Sequence, residues 1–256
     1  MKLRRFPTRR PRLWLVSLDL QFMHLFYQPS LTPADAAGLL TDDDARHATR
    51  TLRLTEGDPI AVTDGRGNRY DSVITKADKH CAFRVVGNVP APRRPFSVRI
   101  CLAPTKNLDR VEWFVEKAVE IGVERISFFA GQHSERRVLK LDRIEKIAVA
   151  AMKQSLQCWL PQLDELLPFD RFLTTVGEAQ RFVAHLPATG PPPALHQLAQ
   201  PGGSFAVLIG PEGDFSALEL QQAQAAGFRL AGLGPNRLRT ETAALTACVG
   251  LNLLHA

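Results

Sequence analysis

Apolar and polar positions follow one pattern up to about residue 92 and another beyond it. In the first part, two short apolar runs flank "DGRGN" in "PIAVTDGRGNRYDSVIT", which is typical of a β-hairpin. The stretch "HCAFRVVGNV" predicts another strand, and "DDDARHATRTLRLTEGD" predicts a short basic helix that ends at the turn containing Gly57. Several short strands with one helix predict a small, barrel-like β domain over residues 23–92.

Beyond the proline-rich linker "PAPRRP", predicted strands alternate with predicted helices. The stretch "NLDRVEWFVEKAVEIG" predicts a helix that begins at Asn107 or Asp109 and ends at Gly122, and a second helix is predicted over residues 141–157. This alternation predicts an α/β domain with a mostly parallel sheet over residues 93–256. The strands are predicted in "SVRICLA", "RISFFA", "RFVAHL", "SFAVLIG" and "FRLAGLG", and the last helix in "TETAALTACVGLNLLH".

The formal net charge of +6 comes almost entirely from residues 1–22. This segment contains six of the chain's 32 basic residues and one of its 26 acidic residues. The rest of the chain therefore has 26 basic and 25 acidic residues, a net charge of +1. Global charge is therefore weak evidence for a nucleic-acid partner. The segment departs from a signal peptide, because Asp19 interrupts its apolar stretch and no small-x-small cleavage site follows. We interpret it as a disordered extension, or as the result of a start placed upstream of the natural one at Met23.

Several classes of protein are excluded by composition and motifs. No apolar run approaches the roughly 20 residues of a membrane-spanning helix, which predicts a soluble protein. The four cysteines are scattered among apolar residues, so we expect buried thiols in a reducing cytoplasm and no metal site. The chain has no GxxxxGK[ST] phosphate loop, no early GxGxxG fingerprint and no GxSxG nucleophile elbow.

Two glycine-containing segments leave a predicted strand and enter a predicted helix, where ligands bind in parallel α/β sheets. In the first, "LIGPEGDFSALE", Gly210 and Gly213 let a ligand approach the main chain, and Pro211 stiffens the turn. Glu212 is then held as an acceptor at the edge of the sheet. An S-x-x-E capping box marks where the following helix begins.

The second segment, "GLGPNRLRTETAAL", concentrates polar side chains just before the last predicted helix. Each feature has an ordinary structural explanation when taken singly: Arg237 and Arg239 could pair with Glu241 or bond helix carbonyls. Of Thr240 and Thr242, Thr240 is the better N-cap and is expected to cap the last helix. Together, two such segments at strand ends favour a binding site.

"GPEG" followed by "LGPNRLRTETAAL" resembles the paired signature of the SPOUT-class RNA methyltransferases, and is most similar to the RsmE-type family. Further similar stretches are "LAPTKNLDRVEWFVEKAVEIGV", "SERRVLKLDRIEKIAVAAMKQS" and "ARHATRTLRLTEGD". The resemblance covers Met23 to the end of the chain. Two positions depart from the common pattern, which has glycine where Asp214 stands and often arginine where Gln157 stands.

The resemblance implies a C-terminal SPOUT domain with a deep trefoil knot and an N-terminal PUA-like β-barrel that binds RNA. It implies a cytoplasmic homodimer that uses S-adenosyl-L-methionine to methylate N3 of a uridine in 16S ribosomal RNA, on the small subunit (30S particle) or on its RNA. Two alternatives stay open: a SPOUT methyltransferase for another RNA position, such as a ribose 2'-hydroxyl, and a non-catalytic RNA-binding assembly factor.

The resemblance also assigns roles to residues of the two segments. Arg239, then Arg237, are expected to stabilise the uracil anion, and Glu212 is expected to orient an arginine or to act as a base. The residues expected to hold the methyl donor are Leu208, Ile209, Gly210, Pro211, Glu212, Gly213, Leu233, Gly234, Leu238, Arg239 and Thr240.

Basic residues outside these segments are candidates for RNA contacts. Helical spacing predicts Arg46, Arg50 and Arg53 on one face of the N-terminal helix, with His47 nearby. Arg136 and Arg137 in "SERRV" are a second candidate group. Such contacts would hold phosphates without reading sequence. The alternative for the first group is an ordinary solvated basic face.

Overall fold

The computed structural model describes residues 24–187, 190 and 192–255. Residues 1–22, interpreted above as an extension or an upstream start, lie outside the described part of the chain.

The predicted small β domain is a five-stranded mixed sheet that curves into a half-barrel. Its elements are β1 (Leu25–Tyr27), β2 (Ala37–Leu39), α1 (Asp42–Arg46), β3 (Pro59–Thr63), β4 (Asn68–Lys76) and β5 (Ala82–Pro90). The sheet order is β1-β3-β4-β5-β2, with β1 parallel to β3. The predicted hairpin is confirmed, because β3 and β4 pair in antiparallel fashion across a turn in which Gly65 and Gly67 have positive φ angles of 72° and 90°.

The predicted N-terminal helix is wrong in its length and periodicity. Helix α1 ends at Arg46 and passes into a π-helical turn, His47–Thr51, in which Leu52 N donates to His47 O (3.0 Å). The wider turn lets Leu52 pack against the small core. Arg53 then has a left-handed φ of 56°. Since 3.6-residue spacing does not hold across this segment, it does not place Arg53 on a shared helical face.

The second part of the chain forms the predicted α/β domain, and its sheet is entirely parallel. The strands are β6 (Phe96–Leu102), β7 (Arg125–Ala130), β8 (Gln162–Pro168), β9 (Gln180–Ala184), β10 (Gly203–Ile209) and β11 (Arg229–Ala231). Their order in the sheet is β11-β9-β10-β6-β7-β8. The helices are α2 (Leu108–Ile121), α3 (Leu141–Gln154), α4 (Phe169–Leu173), α5 (Leu195–Leu198), α6 (Ala217–Ala225) and α7 (Thr240–Leu253).

Helix boundaries follow the local signals where these are strong. At the start of α2 the Asn107 side chain accepts a bond from Asp109 N (3.0 Å), and the helix ends at Gly122 with a φ of 104°. Helix α3 is shorter than predicted and stops at Gln154. Beyond it, the Gln157 amide donates to Val119 O (2.6 Å), so this residue ties the chain back to α2.

Helices cover both faces of the parallel sheet. On one face, α2, α3, α5 and α7 contribute Phe114, Ile144, Leu195 and Ala247 to a large core. On the other face, α4 and α6 pack over a smaller core that includes Phe129. All four cysteines, Cys81, Cys101, Cys158 and Cys248, are buried and unpaired, as predicted. Burial raises the pKa of Cys101 and of Cys248 to about 12, so both are neutral thiols.

The two sheets are joined by a short contact that holds the small domain against the large one. Gly67 N donates to Cys158 O (2.8 Å), and Leu160 N donates to Gly65 O (2.9 Å). A Cβ atom on Gly67 would lie 2.1 Å from the Trp159 ring, so this approach needs a glycine. Within the described ranges, no helix has both the length and the apolar character of a membrane span.

Candidate functional site

A cavity of about 370 Å³ opens at the carboxyl ends of β9, β10 and β11, where the sequence predicts the site. Segments that follow these three strands form most of its wall, and Arg110 of α2 and Ala243 of α7 complete it. The strand order makes this possible, because β10 and β11 are both neighbours of β9. The volume suits a nucleoside-sized ligand.

The β10–α6 loop forms a rigid turn at one side of the cavity. Asp214 N donates to Pro211 O (3.0 Å), which closes the turn. The predicted capping box is confirmed: Ser216 N and hydroxyl donate to Glu219 Oε2 (2.8 and 2.9 Å), and Glu219 N donates back to the hydroxyl (3.3 Å). Gly210 fits closely, since a Cβ atom there would lie 3.0 Å from the Phe215 ring.

Neighbouring loops are bonded to this turn. Lys106 N, after β6, donates to Glu212 Oε1 (3.1 Å). His133 Nδ1, after β7, lies 3.0 Å from Asp214 O. The ion pair between Lys106 Nζ and Glu135 (2.9 Å) raises the pKa of Lys106, so a charged ammonium stands beside the loop. Glu212 thus accepts a hydrogen bond that links the β10–α6 loop to the loop after β6.

The loop before α7 is held from two sides. Gly232 N donates to Pro193 O and Leu195 N donates to Gly232 O (2.9 Å each). The Thr240 hydroxyl donates to Gly210 O (3.2 Å), which joins the two glycine-containing segments. The prediction that Thr240 caps α7 is wrong, because the N-cap residue is Arg239 and Thr240 is the first residue of the helix. The Thr240 hydroxyl donates to Gly210 O instead of accepting from a main-chain amide of the first turn.

Most of the residues predicted to hold a donor come together around the cavity. The exceptions are Leu208 and Gly213. The Leu208 side chain is buried in the core on the other face of the sheet, and Gly213 lies against the side chain of His133. Those in the cavity wall are Ile209, Gly210, Pro211, Glu212, Leu233, Gly234, Leu238, Arg239 and Thr240.

The arginines predicted to be catalytic line the cavity with exposed side chains. Neither Arg237 nor Arg239 forms an ion pair with any described residue. The structural alternative, in which they pair with Glu241, does not hold, because the carboxylate of Glu241 faces Arg110 of α2 (Nε to Oε1, 3.7 Å). Both guanidinium groups therefore have donors to offer a ligand.

The predicted RNA-contact residues lie in two places. In the small domain, Arg46, His47, Arg50 and Arg53 are exposed, and Arg46 is paired with Asp43. The other group is near the site, after β7. There Arg136 Nε donates to Thr105 O (3.0 Å) and Arg137 Nη2 donates to Gln132 O (3.4 Å), so part of each guanidinium supports the loops.

Three charged or titratable residues in the cavity wall are not among the predicted sites. They are Arg110, His185 and Asp214. His185 follows β9 directly, and its Nδ1 lies 3.1 and 3.2 Å from the two carboxylate oxygens of Asp214. The glycines that identify the other two loops are absent directly after "RFVA", but a polar residue at the end of a predicted buried strand is a signal that could have identified His185. Arg110 carries no such signal, because it lies within a helix.

The chain matches two protein-family models. An RNA methyltransferase domain matches residues 92–252, and an RNA methyltransferase PUA domain matches residues 40–84. The first match covers the whole parallel sheet and the cavity.

Named relatives agree with these matches. The chain is 30% identical to the ribosomal RNA small subunit methyltransferase E of Mesomycoplasma hyopneumoniae, over 82% of this chain and 93% of that protein. It is similar to the crystal structure of a probable rRNA methyltransferase from Porphyromonas gingivalis (39% identity, TM-score 0.84, covering 91% of this chain and 98% of that one). It is also similar to the ribosomal RNA small subunit methyltransferase E of Neisseria gonorrhoeae bound to S-adenosyl methionine (26% identity, TM-score 0.81, covering 91% and 98%).

Proposed function

The chain belongs to the RNA methyltransferase family that includes the small-subunit methyltransferase E proteins, and from this premise we propose that it methylates N3 of a uridine in 16S ribosomal RNA. The protein is an S-adenosylmethionine-dependent ribosomal RNA methyltransferase. The N3 position, the residue roles, the homodimer, the knot and the cytoplasmic location are our proposals.

The observation that carries the proposal is the cavity between the two glycine-containing loops. Its wall combines main-chain groups at Gly210 and Gly234 with the apolar side chains of Ile209, Leu233 and Leu238. Main-chain amides and carbonyls suit the polar edge of adenine and the ribose hydroxyls, and apolar side chains suit the purine faces. The residues present therefore fit a sulfonium nucleoside, which supplies the methyl group when bound.

Two arginines are suited to the chemistry at the acceptor. Uracil N3 becomes nucleophilic as it loses its proton, and negative charge then develops on O2 and O4. The free guanidinium groups of Arg239 and Arg237 can donate to these oxygens and stabilise that charge. Glu212 orients the loop through its bond from Lys106 N. Alignment of the methyl carbon with N3 would supply much of the remaining acceleration.

RNA would be held by the small domain and by the loop after β7. Arg46, His47, Arg50 and Arg53 present exposed cationic or polar side chains, and the matched PUA domain model supports an RNA-binding role for this domain. These contacts would position phosphates rather than read bases.

Two finer features of the architecture also belong to the proposal. The knot is proposed from the family resemblance; the hydrogen bonds of Gly232 with Pro193 O and Leu195 N show that the segment before α5 lies beside the loop before α7. A homodimer is supported by apolar side chains on α7 at four-residue spacing: Leu245 and Val249 are half-buried, and Leu253 is exposed.

The experiment that tests the proposed function is incubation of the protein with S-adenosylmethionine and unmodified small subunits, followed by nucleoside analysis. We expect 3-methyluridine. A 2'-O-methylated nucleoside would favour the alternative target, and the absence of both transfer and donor binding would favour a non-catalytic assembly factor. Naked 16S RNA assayed in parallel identifies the preferred form of the substrate.

A further inference from the structure

We propose that His185 accepts the proton that N3 of the acceptor uracil loses, and that Asp214 positions the imidazole for this step. The inference rests on the proposed function, because it concerns the proton of a uridine N3. His185 follows β9 and lines the cavity, and its side chain is 16% exposed. It is therefore largely enclosed while remaining in contact with the space where ligands bind.

The reaction needs an acceptor for this proton. A bond forms between N3 and the methyl carbon while the bond from that carbon to sulfur breaks, and the electron pair of the broken bond stays on sulfur. The N3–H bond also breaks, and its proton moves to Nε2 of His185. The products are 3-methyluridine, S-adenosylhomocysteine and an imidazolium, so the positive charge that leaves the sulfonium is balanced by the one on His185.

The other ionisable groups around the cavity are less suited to accept the proton. The Glu212 carboxylate already accepts a hydrogen bond from Lys106 N (3.1 Å), and the Asp214 carboxylate accepts one from Phe215 N (2.8 Å). Histidine is the side chain whose ordinary titration lies between pH 5 and 8. Arginines stay protonated in proteins. The charged and titratable groups near His185 are Arg110 from α2, His133 from the loop after β7, Glu212 and Asp214 from the loop after β10, and Arg237 and Arg239 from the loop before α7.

The geometry of Asp214 is that of a positioning residue. Its φ of 63° lies in the left-handed region, which disfavours most residues with a Cβ atom. Its carboxylate accepts from Phe215 N, and its carbonyl oxygen contacts His133 Nδ1 (3.0 Å), so both ends of the residue are held. When Nδ1–H of His185 donates to this carboxylate, Nε2 carries the lone pair. Among the described residues, Nε2 has no hydrogen-bond partner.

The test compares His185→Gln and Asp214→Gly with the wild type in single-turnover methylation of small subunits at saturating donor. Asp214→Gly removes the carboxylate and suits the left-handed backbone, so it should fold. We expect His185→Gln to lower the rate about 100-fold at neutral pH, and Asp214→Gly to lower it less. Both deficits should shrink at alkaline pH, where uridine N3 ionises without help. Donor affinity should fall much less than the rate in both variants.

The matched control is His196→Gln, which changes an exposed histidine on α5 and should keep the wild-type rate. A His185→Gln deficit that is the same at every pH, or donor affinity that falls in step with the rate, would overturn the proposal. A wild-type rate in Asp214→Gly would overturn the positioning role, even if His185→Gln did not fold. If the wild type makes a product other than 3-methyluridine, the proposed function has failed instead.

Discussion

The hydroxyl of Thr240, the first residue of α7, donates a hydrogen bond to the carbonyl oxygen of Gly210, the residue that follows β10 (3.2 Å). This bond joins the two loops whose separation sets the width of the proposed donor site. Two more bonds converge on the same turn, from Lys106 N to Glu212 and from His185 to Asp214. The β10–α6 loop is therefore the common support of the cavity wall.

Replacing Thr240 by valine should weaken donor binding. Valine keeps the shape of the side chain but cannot donate to Gly210 O, so the two loops lose one bond between them. A hydrogen bond contributes about 1 kcal/mol net, which predicts a loss of roughly fivefold in affinity for S-adenosylmethionine. Isothermal titration calorimetry measures the affinity of each variant for S-adenosylmethionine. Thr242→Val is the matched control, because Thr242 is exposed on the same helix, and equal losses in both variants would contradict the role of the bond.

Replacing Arg239 by alanine should reduce turnover much more than donor binding. The guanidinium is proposed to stabilise charge that develops on the uracil only during transfer, and loss of one such donor lowers kcat by about 100-fold or more. Single-turnover rates and donor affinity are measured on the same preparation. Arg171→Ala on α4 is the control, since that residue is exposed and lies outside the cavity wall. Equal losses of rate and donor affinity would instead assign Arg239 to the cofactor pocket.

Elements with strong local signals are predictable from this sequence. The end of α2 at Gly122 and the capping box at Ser216 and Glu219 follow from residue types alone, and the start of α2 is narrowed to Asn107 or Asp109, of which the structure has Asn107 as the cap. The position of the site is predictable as well, because parallel strands gather their carboxyl-end loops at one edge. The helix boundaries depend on interactions between residues close in sequence, and the position of the site depends only on the fold class.

Features that depend on distant parts of the chain are not predictable in this way. The π-helical turn after Arg46 accompanies the packing of Leu52 on the small core, which is formed by residues distant in sequence. Strand β8 carries polar residues at the edge of the sheet, so its apolar pattern is weak. The bond of Thr240 to Gly210 requires the strand order, which no local pattern contains. The same is true of the contact between His185 and Asp214.

Replacing Arg50 by alanine should weaken RNA binding in a salt-dependent way. If its exposed guanidinium contacts a phosphate, the variant should lose affinity for different RNA sequences to a similar extent. The plot of log affinity against log salt concentration has a negative slope, and this slope should become shallower by about one in the variant. Fluorescence anisotropy over a salt series measures both quantities, with Arg171→Ala as the control. An unchanged slope would indicate that Arg50 contacts no phosphate and belongs to an ordinary solvent-exposed basic face.

Asp164 on β8 should stabilise the fold in a pH-dependent way. It accepts a bond from Arg125 Nε (2.7 Å) and one from the Ser127 hydroxyl, and the buried guanidinium of Arg99 lies 3.4 Å away. Burial alone would raise the pKa of Asp164, but the bonds from Arg125 and Ser127 outweigh it and hold this pKa below its ordinary value. The folded state therefore binds this proton less readily than the unfolded state.

The consequence is a stability difference that depends on the ionised carboxylate. Asp164→Asn should lower the free energy of unfolding by about 3 kcal/mol at neutral pH, because it removes the carboxylate partner of Arg125 and one of the two carboxylates that face the buried Arg99. The contribution of Asp164 is present above its ordinary pKa, about 4, and is lost as pH falls through the lower folded value. Urea unfolding at several pH values should thus show the two proteins converging in acid. Asp170→Asn changes an exposed residue on α4 and should have the wild-type free energy of unfolding at every pH. If the difference between Asp164→Asn and the wild type stays constant with pH, the charge of Asp164 is not responsible for the stabilisation.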